Sequence, residues 1–224
     1  MKALAYWTDR FRYGVRGRMG KVALAVLLGI GASGAAAEEV TLLAFGDSLT
    51  QGYGLPVDDG FVPQLENWLT AQGRAVRVIN GGVSGDTTAG GLARAAWSLT
   101  PDVDAMILTL GGNDMLRGID PAVSRANLAG ILDAAAGVPV LLVGMTAPGN
   151  YGPDYKAAFD AMYPELAAQY DTLLFPTFFA RITDSGQDII TYMQPDGIHP
   201  SAEGVALIVD ALGPSVLDLI DRVE

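Results

Sequence analysis

Along the chain, short unbroken apolar runs alternate with longer stretches whose apolar positions recur at helical spacing. Five runs read as buried strands: VTLLAF (40–45), AVRVIN (75–80), DAMILTL (104–110), VPVLLVGM (138–145) and TLLFPTF (172–178). Between them lie four amphipathic segments: 61–72, 88–99, 121–136 and 154–170. A fifth helical stretch, 201–223, closes the chain, and Gly213-Pro214 is expected to kink or split it. Strands of four to eight apolar residues without alternation suit a parallel sheet covered on both faces. The order strand, helix, strand, repeated five times, predicts a three-layer α/β/α domain with a five-stranded parallel sheet.

The first residues do not belong to that pattern. Residues 1–21 carry six Lys or Arg against one Asp, and the apolar run VALAVLLGIGASGAAA follows. It ends in Ala35-Ala36-Ala37 before Glu38-Glu39. A basic segment, an apolar segment and a small-residue ending together describe a secretory signal peptide over residues 1–37, with Met19 as an alternative start. The apolar run falls short of the ~20 residues that span a bilayer and is diluted by Gly and Ser, which argues against an uncleaved anchor. The expected product is a periplasmic or secreted domain, residues 38–224, with no stable membrane insertion once the signal is removed.

Charge and cysteine content narrow what that domain can do. Eight basic and 24 acidic residues remain after residue 37, a net charge near −16. Such a surface repels phosphate backbones, so nucleic acid is not an expected partner. There is no cysteine and one histidine in the whole chain, which excludes thiol catalysis, thiolate metal sites and a multi-imidazole zinc site.

In parallel α/β sheets, ligands bind where the carboxyl ends of the strands meet the following loops. The first strand runs into GDSLTQGYG, the second into GGVSGDTTAGG, the third into GGNDMLRG, and the fifth leads through a long loop to QPDGIHPSAEG. His199 lies three residues after Asp196, so both side chains can face the same way from one turn of chain. A carboxylate there can hold the imidazole Nδ1–H and steady the imidazolium as it forms. Pro200 is expected at the first helical position, which would put His199 near the helix N-cap. Ser48 then stands as a candidate nucleophile. The backbone N–H of Ser48, that of Gly85 and the Asn113 amide are candidate donors to an oxyanion, groups worth roughly 3 kcal/mol each in acyl transfer. Each of these features alone also fits an ordinary turn, and a lone histidine is more often a surface cap than a base.

Taken together and in this order, FGDSLTQGYG, GGVSGDTT, LGGND and DGIHP resemble the blocks of the SGNH (GDSL) hydrolase family over about residues 40–205. The segment 149–167 looks like the bacterial periplasmic thioesterase, lysophospholipase and arylesterase branch. The resemblance implies a flavodoxin-like SGNH-hydrolase fold and a cofactor-free mechanism. It implies Ser48 as nucleophile, Asp196 and His199 as orienting acid and base, and Ser48, Gly85 and Asn113 as oxyanion hole. The implied partner is a small-molecule acyl ester or thioester, and a monomer is expected. Removal of acetyl groups from carbohydrate or peptidoglycan is the alternative activity, and an inactive binding module the alternative of another class.

Other chemistries fail on particulars. The G-x-S-x-G elbow is absent around Ser48, and no Walker lysine follows a glycine loop. Paired carboxylates for glycoside hydrolysis, Asp47 and Asp114 for example, have no supporting feature. Leu, Met and Tyr around 110–117 and 145–155 are expected to line an acyl pocket, while WLTAQ, AAWSL and the methionines elsewhere read most simply as core or helix-facing. Asp47 is expected to order the turn beside Ser48 rather than to react.

Overall fold

All seven residues of the first strand, β1 (Val40–Gly46), are buried, as a central strand covered on both faces requires. The structure, a computed structural model, describes residues 39–223. The signal peptide expected over residues 1–37 lies outside the described residues. After β1 come α1 (Ser48–Gln51), α2 (Phe61–Ala71), β2 (Val76–Gly82), α3 (Thr88–Ser98), β3 (Ala105–Thr109) and α4 (Gly112–Leu116). Then follow α5 (Pro121–Ala134), β4 (Val140–Val143), α6 (Pro153–Tyr170), β5 (Leu173–Phe175), α7 (Ala180–Thr183) and α8 (Ala202–Ile220).

The five strands form one parallel sheet in the order β2-β1-β3-β4-β5. That is the flavodoxin-like order, in which β1 sends the chain to β2 on one side and receives β3 on the other. The register pairs Val40 with Val76 and Leu42 with Ala105, so the carboxyl ends of β2, β1 and β3 finish side by side. α2 packs with α8, and α3 and α6 each pack with α5, giving the two helical layers. Leu42, Phe45, Phe61, Leu108, Phe159 and Tyr163 are among the fully buried side chains between them.

Local sequence explains where the long helices begin. Thr87 caps α3 by accepting from Gly90 N–H, and Asp120 caps α5 by accepting from Ala122 N–H, with Pro121 as the first helical residue. The expected start of the last helix is corrected. Ser201, whose hydroxyl accepts from Gly204 N–H at 3.2 Å, is the N-cap, so α8 begins at Ala202 and Pro200 lies outside it. Pro200 instead bridges to Met193, and His199 sits two residues before the cap. The helix is not split at Gly213-Pro214 but runs on through Pro214. An interior proline costs about 3 kcal/mol, but Leu212, Val216, Leu219 and Ile220 around it are all buried, and their combined burial outweighs that cost. Among the described residues no helix is long and apolar enough to cross a membrane.

Candidate active site

Gly46 ends β1 with no room for a side chain: a Cβ there would fall 2.1 Å from Thr50 Oγ1 and 2.7 Å from the Thr109 carbonyl. The chain therefore folds straight back into the single turn of α1. Asp47 caps that turn through Oδ1, which accepts from Leu49 N–H at 3.0 Å, so the ordering role expected of it is what the structure shows. Ser48 is the first residue of α1 and is 8% exposed. A residue in that position carries one of the backbone N–H groups a helix start leaves without an intrahelical partner.

His199 arrives from the far end of the chain. Its Nε2 lies 2.9 Å from Ser48 Oγ and its Nδ1 lies 2.6 Å from Asp196 Oδ2. Asp196 Oδ1 accepts from the N–H groups of both Ile198 and His199 at 3.0 Å, so the carboxylate is locked to the loop that carries the imidazole. With Nδ1 donating to Asp196, Nε2 is left as the acceptor for the serine hydroxyl. The hydrogen bond from His199, helped by the two N–H groups, holds the Asp196 carboxyl down to about 2. Asp196 is thus an anion throughout the neutral range. The Tyr53 ring lies against the imidazole with centroids 4.6 Å apart. Gln194 steadies the same loop: its amide donates to the carbonyls of Tyr53 and Pro200 at 2.8 and 3.0 Å.

The other two sequence candidates meet beside Ser48. Gly85 has φ +82°, the left-handed region that an L side chain resists, and its carbonyl accepts from Arg117 Nη2 at 2.9 Å. Asn113 lies in α4, just past β3, and its Nδ2 donates to the Asp86 carbonyl at 2.9 Å and to Asp47 Oδ2 at 3.3 Å. One amide therefore ties together the loops that follow β1, β2 and β3. Asp114, fully buried, fixes α4 to the start of α3 by accepting from Thr88 N–H and Thr88 Oγ1 at 2.8 and 2.5 Å, and to α5 by accepting from Ser124 Oγ at 2.9 Å. All five sequence candidates are brought together at the carboxyl ends of three neighbouring strands.

Ser48 and His199 open onto a cleft of about 650 Å³. Met115, Leu116, Met145 and Pro148 line it, in the two segments expected to do so. Sequence reasoning missed the rest of its apolar lining, Tyr53, Phe179, Ile189, Met193 and Ile198. Met193, read as core or helix-facing, is a cleft residue, because an unbranched apolar side chain fits an interior and a flexible cleft equally well. Trp97, read as core or helix-facing, is 72% exposed on the outer face of α3.

A parallel α/β/α sheet with an acyl-transfer constellation at its strand ends defines a class of ester hydrolase. The chain belongs to the GDSL-like lipase/acylhydrolase family, whose model matches residues 44–207. It is 40% identical to esterase TesA of Pseudomonas aeruginosa over 183 residues, 80% of this chain and 89% of that one. It is 36% identical to thioesterase 1/protease 1/lysophospholipase L1 of Escherichia coli over 191 residues, 84% and 88% of the two chains. Among solved structures, that of AlinE4, an SGNH-hydrolase family esterase, matches with 44% identity and a TM-score of 0.67, covering 81% of this chain and 96% of that one.

Proposed function

We propose that this chain is an exported serine esterase that hydrolyses small carboxylic esters, and with them acyl thioesters and lysophospholipids, through an acyl-enzyme on Ser48. The observation that carries the reading is the unbroken hydrogen-bonded chain Ser48–His199–Asp196, at 2.9 and 2.6 Å, opening into an apolar cleft. His199 Nε2 takes the Ser48 proton as Oγ attacks the acyl carbonyl, and Asp196 steadies the imidazolium. The proton then passes to the leaving alcohol or thiol. Water, activated by the same imidazole, releases the acid and restores Ser48.

The oxyanion is received by the N–H groups of Ser48 and Gly85 and by the Asn113 amide. An NH₂ group has two protons, and in the resting site both are engaged, one to Asp86 and one to Asp47. The bond to Asp47, the longer of the two at 3.3 Å, is the one the developing oxyanion takes over. The short bond to Asp86 keeps the amide in place meanwhile. The volume of the cleft favours an acyl chain longer than acetyl, since an acetyl group would leave most of it filled with water. The basic segment and apolar run before Ala35-Ala36-Ala37 support export, as do the named relatives' esterase and lysophospholipase chemistries for the substrate class.

The Ser48→Ala variant tests this. It is expected to fold as the parent and to lose hydrolysis of p-nitrophenyl butyrate. Turnover near the parent's would overturn the assignment. A profile over p-nitrophenyl esters of increasing chain length, beside acetyl xylan, a lysophospholipid and an acyl-CoA, then separates acyl esterase from O-acetylesterase.

A further inference from the structure

Arg94 is a cation that the fold buries and the reaction described above does not use. Its side chain is 11% exposed, and it points from α3 into the strand ends. Nε donates to Asp86 Oδ2 at 2.7 Å, Nη1 to the Gly81 carbonyl at 2.8 Å and Nη2 to the Gly46 carbonyl at 2.8 Å. The guanidinium also covers the Phe45 ring, with Cζ 3.9 Å from its centroid. One planar group thus spans the last turn of β1, the end of β2 and the loop beyond it. The fork of N–H donors is what allows this, since a lysine ammonium could not satisfy three acceptors so placed.

The acceptors are telling. Gly46 is the residue before Asp47-Ser48, and Asp86 is the residue after Gly85. Asp86 is held on three sides: its carboxylate by Arg94, its carbonyl by Asn113 Nδ2, and its N–H by the Val83 carbonyl at 3.1 Å. The contacts run without a gap from Arg94 through Asp86 to the Asn113 amide, and from Arg94 through Gly46 to the nucleophile turn. Burying a charge is costly, and two strand-end carbonyls can be satisfied by water or neutral donors. What a rigid charged fork adds is a fixed distance between the nucleophile and its oxyanion donors.

From this geometry we infer that Arg94, acting through Asp86, is a positioning residue that sets the oxyanion hole against Ser48. The inference rests on the proposed roles of Ser48, Gly85 and Asn113. Oxyanion donors act at about 2.7–3.1 Å from the oxygen that develops, and a displacement of about 1 Å costs on the order of 100-fold in rate. Arg94 touches no substrate atom, so its loss acts on the transition state and leaves substrate binding nearly intact.

The test uses the purified chain with p-nitrophenyl butyrate. Arg94→Lys, Arg94→Met and Asp86→Asn are compared for kcat, KM and binding of an alkyl boronic acid, whose boron accepts Ser48 Oγ and places an oxygen in the oxyanion hole. In the Arg94 variants kcat is expected to fall about 10- to 100-fold with KM within about 3-fold, and boronate affinity to fall in parallel with kcat. Asp86→Asn, which keeps the backbone and the Arg94 bonds to Gly46 and Gly81, is expected to lose about 5- to 10-fold, and it decides the matter if the Arg94 variants do not fold. In an Asn113→Ala background, Arg94→Met is expected to cost less than about 3-fold further, because the donor it positions is gone. A folded Arg94→Met or Asp86→Asn enzyme with kcat within about 2-fold of the parent, or an undiminished Arg94 effect in the Asn113→Ala background, overturns the inference. An inactive Ser48→Ala beside such a fully active variant removes the positioning role alone. An active Ser48→Ala removes the site assignment beneath it.

Discussion

Asp47 is a buried acid whose ionisation costs this fold stability, and one substitution relieves it. It is 1% exposed, and burial pushes its carboxyl from the ordinary 3.8 up to about 6. The N–H of Leu49, the Asn113 amide and the nearby His199 pull it back down, while Asp114 adds a smaller upward push. Because the folded pKa lies above the unfolded one, the folded state holds its proton between about pH 4 and 6 while the unfolded state releases it. Stability therefore falls as pH rises through that window and stays lower above it. A shift of about two units at 1.36 kcal/mol each makes the cost of ionised Asp47 about 3 kcal/mol at neutral pH. Asp47→Asn never ionises, and its Oδ1 still accepts from Leu49 N–H. Its new amide, however, faces the Asn113 amide, donor against donor, so the Asn113 contact is lost. Urea denaturation of the two proteins at pH 4, 5, 6 and 7.5 gives the comparison. The stability of the variant relative to the parent is expected to rise by about 2 kcal/mol from pH 4 to 7.5, since the unfolded carboxyl is already partly ionised at pH 4, while kcat at pH 7.5 falls several-fold. A stability difference that stays level within about 0.5 kcal/mol over that range would refute the reasoning.

The remaining predictions concern the hydrogen-bonded chain, the oxyanion loop and the cleft. Asp196→Asn is expected to keep the fold and lower kcat for p-nitrophenyl butyrate by about 10³- to 10⁴-fold, since the imidazolium loses its counter-ion; more than about a tenth of parental activity would contradict this. The depressed Asp196 pKa contributes stability that is present above about pH 4 and lost as pH falls towards 2, so acid unfolding of that variant should lack this component. Gly85→Ala meets nothing closer than Arg117 Nη2 at 3.8 Å, so its penalty is the left-handed backbone itself, about 1–2 kcal/mol in urea denaturation, with kcat at least about 10-fold lower as the N–H turns away. Met193→Trp fills the missed wall of the cleft, and the ratio of octanoate to acetate hydrolysis should fall about 10-fold or more; an unchanged ratio would mean the acyl chain lies elsewhere.

The strands and long helices were legible because burial on both faces leaves unbroken apolar runs, and VTLLAF became a strand of seven buried residues. The site was legible where chemistry is local: Asp196 and His199 meet because they lie three positions apart in one turn of chain. The residues proposed as oxyanion donors are a glycine and an asparagine at strand ends, and the structure brings both beside Ser48. The start of α8 was misjudged because Pro200 and Ser201 both suit a helix entrance, and only the tertiary bond from Ser201 N–H to the Tyr192 carbonyl at 2.8 Å shows the chain still extended there. Short helices such as α1 and α4 span four and five residues, too few for a periodic pattern to register. Arg94 gave no local signal, since two of its three acceptors lie 48 and 13 residues away. The cleft wall from Ile189 to Ile198 was hidden for the same reason, being assembled from a loop whose apolar residues have no period.

The most direct test of the central claim is mass spectrometry of peptides after reaction with an alkyl fluorophosphonate. One adduct per chain, on Ser48, is expected, and none on the folded Ser48→Ala protein. Labelling at another residue, or of the variant, would contradict the account.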